Sequence, residues 1–365
     1  MNTLSRRDFA KQSLFSVSPL VLSSLMLPAW SPTAHAQSKP RIRAGQIGTK
    51  HGHASGKWEA VKKQSDHFEL VGIVEADQTQ KEKVQRTATY ADCTWLTVEQ
   101  LLNEPGLQLV FVETEIDQLL DVAEKCLKAG MHIHLDKPAG ASLDHFKRVT
   151  QIAADKRRLI QLGYMFRSNM AFQFLFNAVQ QGWLGDIFEI HGVMSKQLQS
   201  SDRAGLALYP GGAMFELGCH LIDAVVKLLG KPQSIMPFPT QTFPGVDALN
   251  DNCLAVFRYP KATATIRSSL VEVEGNRRRQ FVVCGTKGTI EIGPLEPPHL
   301  TLTLDQPRGS FRKGTQSVEL PKMAGRYDGD LLSLAAAIRG EREYEYSLEH
   351  DLLVQDCVLQ ASAMK

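Results

Sequence analysis

Three side chains of the sequence could form a catalytic group, namely Lys137, Glu216 and His220. Lys137 follows a β-rich run at residues 132–135, and ligands bind outside the carboxyl ends of the strands in a doubly wound sheet. Glu216 and His220 are four residues apart in a predicted amphipathic helix, so they should share one face of it. A carboxylate that orients an imidazole is a plausible general-base pair. Lys137 alone could be an ordinary loop lysine, and Glu216 with His220 alone could be an ordinary surface pair on a helix. Their joint occurrence predicts proton transfer in a ligand cleft.

A glycine-containing turn lies between the first predicted strand and the first predicted helix. Such turns let backbone amides and a helix N-terminus approach a pyrophosphate, so this one predicts a dinucleotide site. The spacing departs from G-x-G-x-x-G, because Lys50 stands in place of the second glycine when Gly48 is taken as the first. A generic tight turn therefore stays an alternative, although the Lys50 ammonium group could bind phosphate. The candidate cofactor-binding residues of the turn are Gly48, Thr49, Lys50, His51, Gly52 and His53.

Glu75 ends the second predicted strand and could accept hydrogen bonds from an adenosine ribose. Its carboxylate would repel a 2′-phosphate, so Glu75 favours NAD over NADP. The alternative is a solvated acid at the end of a strand.

The elements that must position these residues fall into two groups. From Arg41 the sequence alternates β-rich runs with helical patterns, which predicts a parallel sheet of the doubly wound Rossmann type. After about Arg167 longer alternating strands separated by hairpin signals predict an α+β domain with a large, mostly antiparallel sheet. The predicted fold is therefore α/β, with a Rossmann domain at residues 37–165 and a substrate-binding domain at residues 166–365.

With these elements in place, the chain resembles the Gfo/Idh/MocA family of sugar-type dehydrogenases. The resemblance covers most of the chain after the leader and depends on the glycine turn, the Asp136-Lys137-Pro138 segment and the segment from Glu216 to Asp223. It implies that Lys137, Glu216 and His220 line the substrate pocket at the nicotinamide, and that Asp136, Lys137 and Thr114 contribute to the cofactor site. Asp136 stands for the family's usual glutamate, Glu216 for its usual aspartate, and Thr114-Glu115 for its Thr-Pro, which indicates a peripheral subgroup.

The first 36 residues have the pattern of a twin-arginine signal peptide. Arg6 and Arg7 precede a mostly apolar stretch at residues 14–30, and Ala34-His35-Ala36 forms a small-x-small cleavage site. Several serines and Pro19 interrupt the apolar stretch, which argues against the alternative of a membrane anchor. We expect recognition by the twin-arginine export machinery, cleavage, and a periplasmic or otherwise exported protein without a membrane contact.

The net charge and the spacing of the histidines and cysteines argue against two further classes of function, nucleic-acid binding and metal binding. The formal net charge is +2, and the charged residues among the first eleven account for it, so a nucleic-acid partner has no electrostatic support. The cluster Arg277–Arg279 predicts a solvated turn in preference to an anion site. The histidine spacings give no closed set of three or four ligands, so no metal site is predicted. Six widely spaced cysteines indicate free thiols or buried apolar positions.

These observations predict an NAD(P)-dependent oxidoreductase that acts on a CH–OH group of a sugar, a polyol or a related small molecule. His220 would take the hydroxyl proton, Glu216 would orient His220, and Lys137 would bind the substrate oxygen. Export would require a tightly held cofactor and a redox-neutral cycle. Two alternatives stay open: an NAD-dependent glycoside hydrolase that works by oxidation, elimination and reduction, and a non-catalytic ligand-binding protein. A homo-oligomer is possible.

Overall fold

A computed structural model of the chain describes residues 39–322 and 325–364, apart from the side chain of Ser201. The signal peptide predicted over residues 1–36 lies outside the described residues. Within the described part, no helix combines the length and the apolar character needed to cross a bilayer.

The first sheet holds five parallel strands in the order β2-β1-β3-β4-β5, which confirms the predicted Rossmann-type sheet. Most residues of its central strands β1 and β3 are buried, as expected when helices cover both faces. The strands are β1 (Ile42–Ile47), β2 (Phe68–Val74), β3 (Leu107–Val112), β4 (His132–Leu135) and β5 (Ile160–Leu162).

Five helices accompany this sheet: α1 (Ala54–Lys63), α2 (Gln78–Val84), α3 (Val98–Leu102), α4 (Leu119–Lys128) and α5 (Leu143–Lys156). The apolar periodicity predicts α1, α4 and α5 but not the two short helices. Local caps mark where those begin: the Asp77 side chain accepts from two backbone N–H groups of α2, and Thr97 forms a capping box with Gln100 in α3.

The second sheet has eight strands in the order β13-β12-β11-β10-β6-β9-β8-β7. Only the β6–β9 pairing is parallel, which confirms a large and mostly antiparallel sheet. Edge strand β7 was not predicted, because it contains two prolines and mostly exposed residues. The strands are β6 (Ile187–Ser195), β7 (Ser234–Thr240), β8 (Asn252–Arg258), β9 (Thr263–Ser269), β10 (Gln280–Gly285), β11 (Gly288–Leu295), β12 (Pro298–Leu304) and β13 (Gly314–Val318).

The remaining helices are α6 (Met170–Gln180), α7 (Ser200–Ala207), α8 (Cys219–Leu229), α9 (Asp328–Ile338) and α10 (Leu348–Ala361). Helix α9 returns to the first sheet, where Leu331, Leu334 and Ala335 pack in one apolar cluster with Ile42 of β1. The last part of the chain therefore completes the core of the first sheet. The division between residues 165 and 166 stays a prediction.

The amphipathic helix predicted to hold Glu216 and His220 does not begin as a regular α-helix. Residues Met214–Gly218 form a π-helical turn, and α8 follows it. A π-turn adds a residue to the helical repeat, so side chains four apart across it lose their α-helical alignment. This local change alters the expected relation between Glu216 and His220.

Candidate active site

One cavity of about 310 Å³ brings the three candidate catalytic residues together. The first sheet contributes residues that follow β1 and β4, and the second half of the chain contributes residues from β6, the π-helical turn and α8. This position is the carboxyl edge of the parallel strands, where ligand binding was expected. The charged and polar residues of its wall are His53, Lys137, Lys196, Gln197, Glu216, His220, Asn276, Arg279 and Arg326.

The Lys137 side chain is buried and ends on Glu216. Its Nζ atom donates to the Glu216 backbone oxygen at 2.9 Å and lies 3.3 Å from the Glu216 carboxylate. Burial opposes the charged form, but the Glu216 carboxylate raises the pKa of Lys137 above its ordinary value. Burial likewise disfavours ionised Glu216, while Lys137 and then Lys196 hold the pKa of Glu216 below its ordinary value. Both groups are therefore charged at neutral pH.

This ion pair corrects one expectation from the sequence. Glu216 was predicted to orient His220, whereas in the structure its carboxylate bonds to Lys137. Among the described residues no hydrogen bond reaches His220 Nδ1, a buried atom. The imidazole packs edge-on against Tyr164 and Phe166, with ring centroids 5.9 and 5.7 Å away. Burial first, and then Lys137, lower the pKa of His220 well below its ordinary value, so the ring is neutral.

Asp136 anchors a buried network behind two residues of the cavity wall, His53 and Lys137. Its Oδ2 atom lies 2.8 Å from Lys57 Nζ, 2.8 Å from His51 Nδ1 and 3.2 Å from His53 Nδ1. The backbone N–H of Lys137 donates to the other oxygen at 2.6 Å. Burial disfavours the charged carboxylate, but Lys57 and the two histidines hold the pKa of Asp136 well below its ordinary value. Asp136 is therefore ionised and fixed by four donors.

Lys57 connects Asp136 to a second buried carboxylate. Its ammonium group also donates to Glu113 at 3.0 Å, and the Lys57 side chain is almost fully buried. Burial raises the pKa of Glu113 well above its ordinary value against the attraction of Lys57, and the nearby Asp136 charge adds to that rise. One ammonium group thus holds two carboxyl groups that follow adjacent strands of the sheet.

The structure also brings three potential metal ligands together. Ligand atoms of His51, His53 and Asp136 lie within 4.8 Å of one another, although the sequence predicts no metal site. The Lys57 ammonium group already occupies the Asp136 oxygen that both histidines approach. A divalent cation would have to share this carboxylate with that ammonium group, so we assign the cluster a hydrogen-bonding role.

The predicted nucleotide turn has the close approach that a dinucleotide site needs. Gly48 has φ +93°, and a Cβ atom there would lie 2.6 Å from the backbone nitrogen of Thr114. The Thr114 hydroxyl group is buried and finds no partner among the described residues. In the described part of the chain no side chain caps the N-terminus of α1, and Gly52 has open space beside it. These features fit a nicotinamide dinucleotide.

Two charged residues around this turn have protein partners. Glu75 accepts from the Thr49 backbone N–H at 2.9 Å and from its hydroxyl at 2.6 Å. Lys50, which was considered as a phosphate ligand, lies 2.9 Å from Asp77 and 3.2 Å from Glu115. Three carboxylates therefore lie around the turn, those of Glu75, Asp77 and Glu115. The ammonium group of Lys50 is already paired with the last two of them.

The sequence did not reveal four cations that matter here: Lys57, Lys196, Arg279 and Arg326. Lys57 falls on the buried face of α1 with Ala54, Trp58 and Val61, a pattern that could have identified it. The cluster at residues 277–279 was expected to be solvated, and Arg277 and Arg278 are exposed. Arg279, however, is only 9% exposed and lines the cavity. The sequence contains no signal that separates Arg279 from its two neighbours.

Comparison with protein families gives two matches that together cover about two thirds of the chain. An oxidoreductase family with an NAD-binding Rossmann fold matches residues 42–164. The GFO/IDH/MocA C-terminal domain matches residues 172–291.

Individual relatives are distant. YdgJ of Escherichia coli, an uncharacterised oxidoreductase, is 26% identical over 260 residues, which are 70% of this chain and 72% of YdgJ. The scyllo-inositol 2-dehydrogenase (NADP(+)) IolW of Bacillus subtilis is 24% identical over 143 residues, 38% of this chain and 39% of that enzyme. A levoglucosan dehydrogenase solved with NADH and levoglucosan has a similar fold, with a TM-score of 0.75 at 17% identity; the match covers 89% of this chain and 98% of that one.

Proposed function

The chain belongs to the Gfo/Idh/MocA family of oxidoreductases, and from this premise we propose that it interconverts a carbinol and a carbonyl group on a sugar, a polyol or a related small molecule. One observation carries the proposal: Lys137 and His220 line the same cavity as His53, which belongs to the nucleotide turn. In this proposal the substrate site and the cofactor site are contiguous. The names of two relatives, a scyllo-inositol dehydrogenase and a levoglucosan dehydrogenase, support this substrate class.

A nicotinamide dinucleotide, when bound, supplies or accepts the hydride equivalent. In our proposal the turn from Gly48 to His53 holds its pyrophosphate, with the N-terminus of α1 and the unpartnered Thr114 hydroxyl group. Glu75 and Asp77 make the ribose end acidic, which favours NAD over NADP because a 2′-phosphate would meet two carboxylates.

The chain's own residues would manage the substrate oxygen and its proton. Lys137, fixed by Glu216 and charged, donates a hydrogen bond to that oxygen and stabilises developing negative charge. His220 is neutral and its side chain lines the cavity, so a ring nitrogen can accept a hydrogen bond from a substrate hydroxyl group there. His220 accepts the hydroxyl proton during oxidation and returns it during reduction. Glu216 acts as a positioning residue for Lys137.

We also propose that the protein is exported with its cofactor already bound. The twin-arginine leader predicted over residues 1–36 supports transport of a folded chain. A cofactor that is not replaced from solution must be regenerated in place, so we expect one substrate to be oxidised while another is reduced.

Paired-substrate turnover tests the proposal. Purified protein, with and without added NAD, is incubated with a sugar or polyol as donor and a second sugar as acceptor, and products are identified by mass spectrometry. We expect an oxidised donor and a reduced acceptor in equal amounts. An aryl glycoside in a parallel reaction tests the hydrolase alternative: release of a phenol without net redox change in either sugar would contradict the proposed reaction.

A further inference from the structure

The wall of the active-site cavity carries far more positive than negative charge. Among the described residues that line it, Lys137, Lys196, Arg279 and Arg326 are cationic, and Glu216 is the one carboxylate. Glu216 already pairs with Lys137. The other three cations therefore face the cavity without a carboxylate on the wall itself.

Lys196 is the least compensated of the three. It follows β6 directly and is half-buried. No hydrogen bond or ion pair joins its ammonium group to another described side chain, although Glu216 and Asp202 attract it at longer range. Burial lowers the pKa of Lys196 below its ordinary value, as expected for an ammonium group that has lost water without gaining a close counterion.

Arg279 and Arg326 share a single carboxylate that lies outside the cavity wall. Arg279 reaches Glu296 only at 3.5 Å, and its Nε atom donates to the Ser195 backbone oxygen at 2.9 Å. Arg326 approaches the same Glu296 oxygen at 3.0 Å. These contacts fix the direction of both guanidinium groups, yet one negative charge serves two positive ones.

Such an arrangement is costly unless a ligand completes it. Like charges repel in a partly dehydrated site, and a cation that loses water without gaining a partner is destabilised. An oxyanion held by ammonium and guanidinium groups would offset that cost through charge-assisted hydrogen bonds. The cavity volume of about 310 Å³ suits a molecule the size of a monosaccharide.

We propose that Lys196, Arg279 and Arg326 form a subsite for an oxyanion carried by the substrate, a carboxylate or a phosphate monoester. The substrate is then a sugar acid or a sugar phosphate, whose anionic group lies at this subsite while its reacting hydroxyl group meets Lys137 and His220. This inference rests on the proposed function for the identity of the reacting group. The subsite itself can be tested without turnover.

Isothermal titration calorimetry on the full chain tests the subsite. The probes are D-glucuronate, D-galacturonate and D-glucose 6-phosphate, with D-glucose and D-galactose as neutral counterparts. We expect at least one anion to bind about tenfold more tightly than its neutral counterpart, with an affinity that falls as salt is added. The uronates and the phosphate ester separate the two sources of oxyanion. Neutral sugars that bind as tightly as all three anions, or no binding by any anion, would overturn the proposal.

Variants locate the binding. Lys196→Gln should weaken the preferred anion about tenfold or more and leave its neutral counterpart within about twofold, because only the anion uses the ammonium group. Lys231→Gln, at an exposed position away from the cavity, is the matched control. If Lys196→Gln does not fold, Arg326→Gln is the variant to test. The Arg326 side chain is 44% exposed, so its substitution should disturb the hydrophobic core little. Equal anion affinity in the substituted and the wild-type chain would overturn the assignment.

The two proposals fail in different ways. An anion that binds through Lys196 but gives no redox product supports the subsite and contradicts the proposed reaction. Turnover of neutral sugars without anion preference supports the reaction and contradicts the subsite.

Discussion

The buried network behind the active-site cavity and the cationic part of the cavity wall differ in how their charges are compensated. On the side of the first sheet, the Asp136 carboxylate has four donors, and Lys57 is shared with Glu113. On the side of the second sheet, Lys196 has no close partner among the described residues, and Arg279 shares Glu296 with Arg326. Protein groups therefore compensate the charges of the buried network, whereas the cations on the side of the second sheet lack close carboxylate partners of their own among the described residues.

We call the network of Asp136, Lys57 and Glu113 the frame, and we call the cluster of Lys196, Arg279 and Arg326 the binding surface. Groups that already have partners are held in one geometry and contribute rigidity, whereas cations without partners gain most when a ligand supplies the missing charge. We therefore expect substitutions in the frame to reduce stability and substitutions in the binding surface to reduce affinity or turnover.

The largest effect should follow from removing the frame's central cation. Lys57→Met leaves Asp136 and Glu113 buried without their ammonium partner, and we expect the free energy of unfolding to fall by about 3–5 kcal/mol. Urea denaturation followed by circular dichroism measures it. Lys63→Met, on the exposed face of the same helix, is the control and should change stability by less than about 0.5 kcal/mol. Equal loss in both variants would mean that the network is not a frame.

The two histidines of the cavity provide the next comparison. His220→Gln should lower kcat about a hundredfold or more, because it removes the proposed proton acceptor. His53→Gln should lower kcat less, since His53 Nδ1 already bonds to Asp136. Steady-state turnover of both variants, with melting temperatures as a check on folding, makes the measurement. A larger loss in His53→Gln would transfer the proton-accepting role to the Asp136–His53 pair.

Acid should reduce stability through buried His134, whose Nε2 atom lies 4.0 Å from the Glu113 carboxyl group of the frame. Burial lowers the pKa of His134 from 6.5 to about 3. Because the folded pKa lies below the unfolded one, the contribution to stability is complete above about pH 6.5 and decreases as the pH falls. At about pH 5 the protonation of His134 should have lowered the free energy of unfolding by about 2 kcal/mol relative to its value above about pH 6.5.

His134→Gln should therefore show a smaller loss of stability than the wild type between about pH 7.5 and pH 5, measured by urea denaturation. Gln161, which bonds to His134 Nδ1 at 2.8 Å, can bond to the new amide. Parallel stability curves for the two chains would show that His134 does not titrate in this way.

The smallest effect concerns the residue that fixes Lys137. Glu216→Gln keeps the backbone oxygen that accepts from Lys137 Nζ but removes the charge, so we expect about a tenfold decrease in kcat. Because the Lys137 ammonium group is buried, stability should also fall, but by less than in Lys57→Met, where two carboxyl groups lose their partner. A pH–rate profile distinguishes positioning from bulk effects, because the pKa of Lys137 should fall when its counterion is lost. An unchanged profile would argue against this role.

Elements whose residues are buried could be predicted, because burial requires a recognisable pattern of apolar residues in the sequence. The alternation of β-rich runs and helical patterns predicted the parallel sheet, because most residues of its central strands β1 and β3 are buried. Edge strand β7 was missed, since exposure and two prolines leave no such pattern. The topological rule for parallel sheets was enough to expect Lys137 at the ligand cleft.

The details of the site could not be read in this way. The π-helical turn before α8 changes a helical register that spacing alone presents as regular, so the partner of Glu216 was predicted wrongly. Arg279 differs from Arg277 and Arg278 only in the direction that the fold gives it. Charge compensation depends on tertiary contacts, and the sequence shows charges without their partners.

Identification of the bound nucleotide tests the central claim most directly. The full chain is purified under mild conditions, denatured, and its released small molecules are identified by mass spectrometry; calorimetric titration of the nucleotide-free protein with NAD and NADP follows. We predict that NAD is released, or that the emptied protein binds NAD more tightly than NADP. A protein that releases neither nucleotide and binds neither would contradict the account.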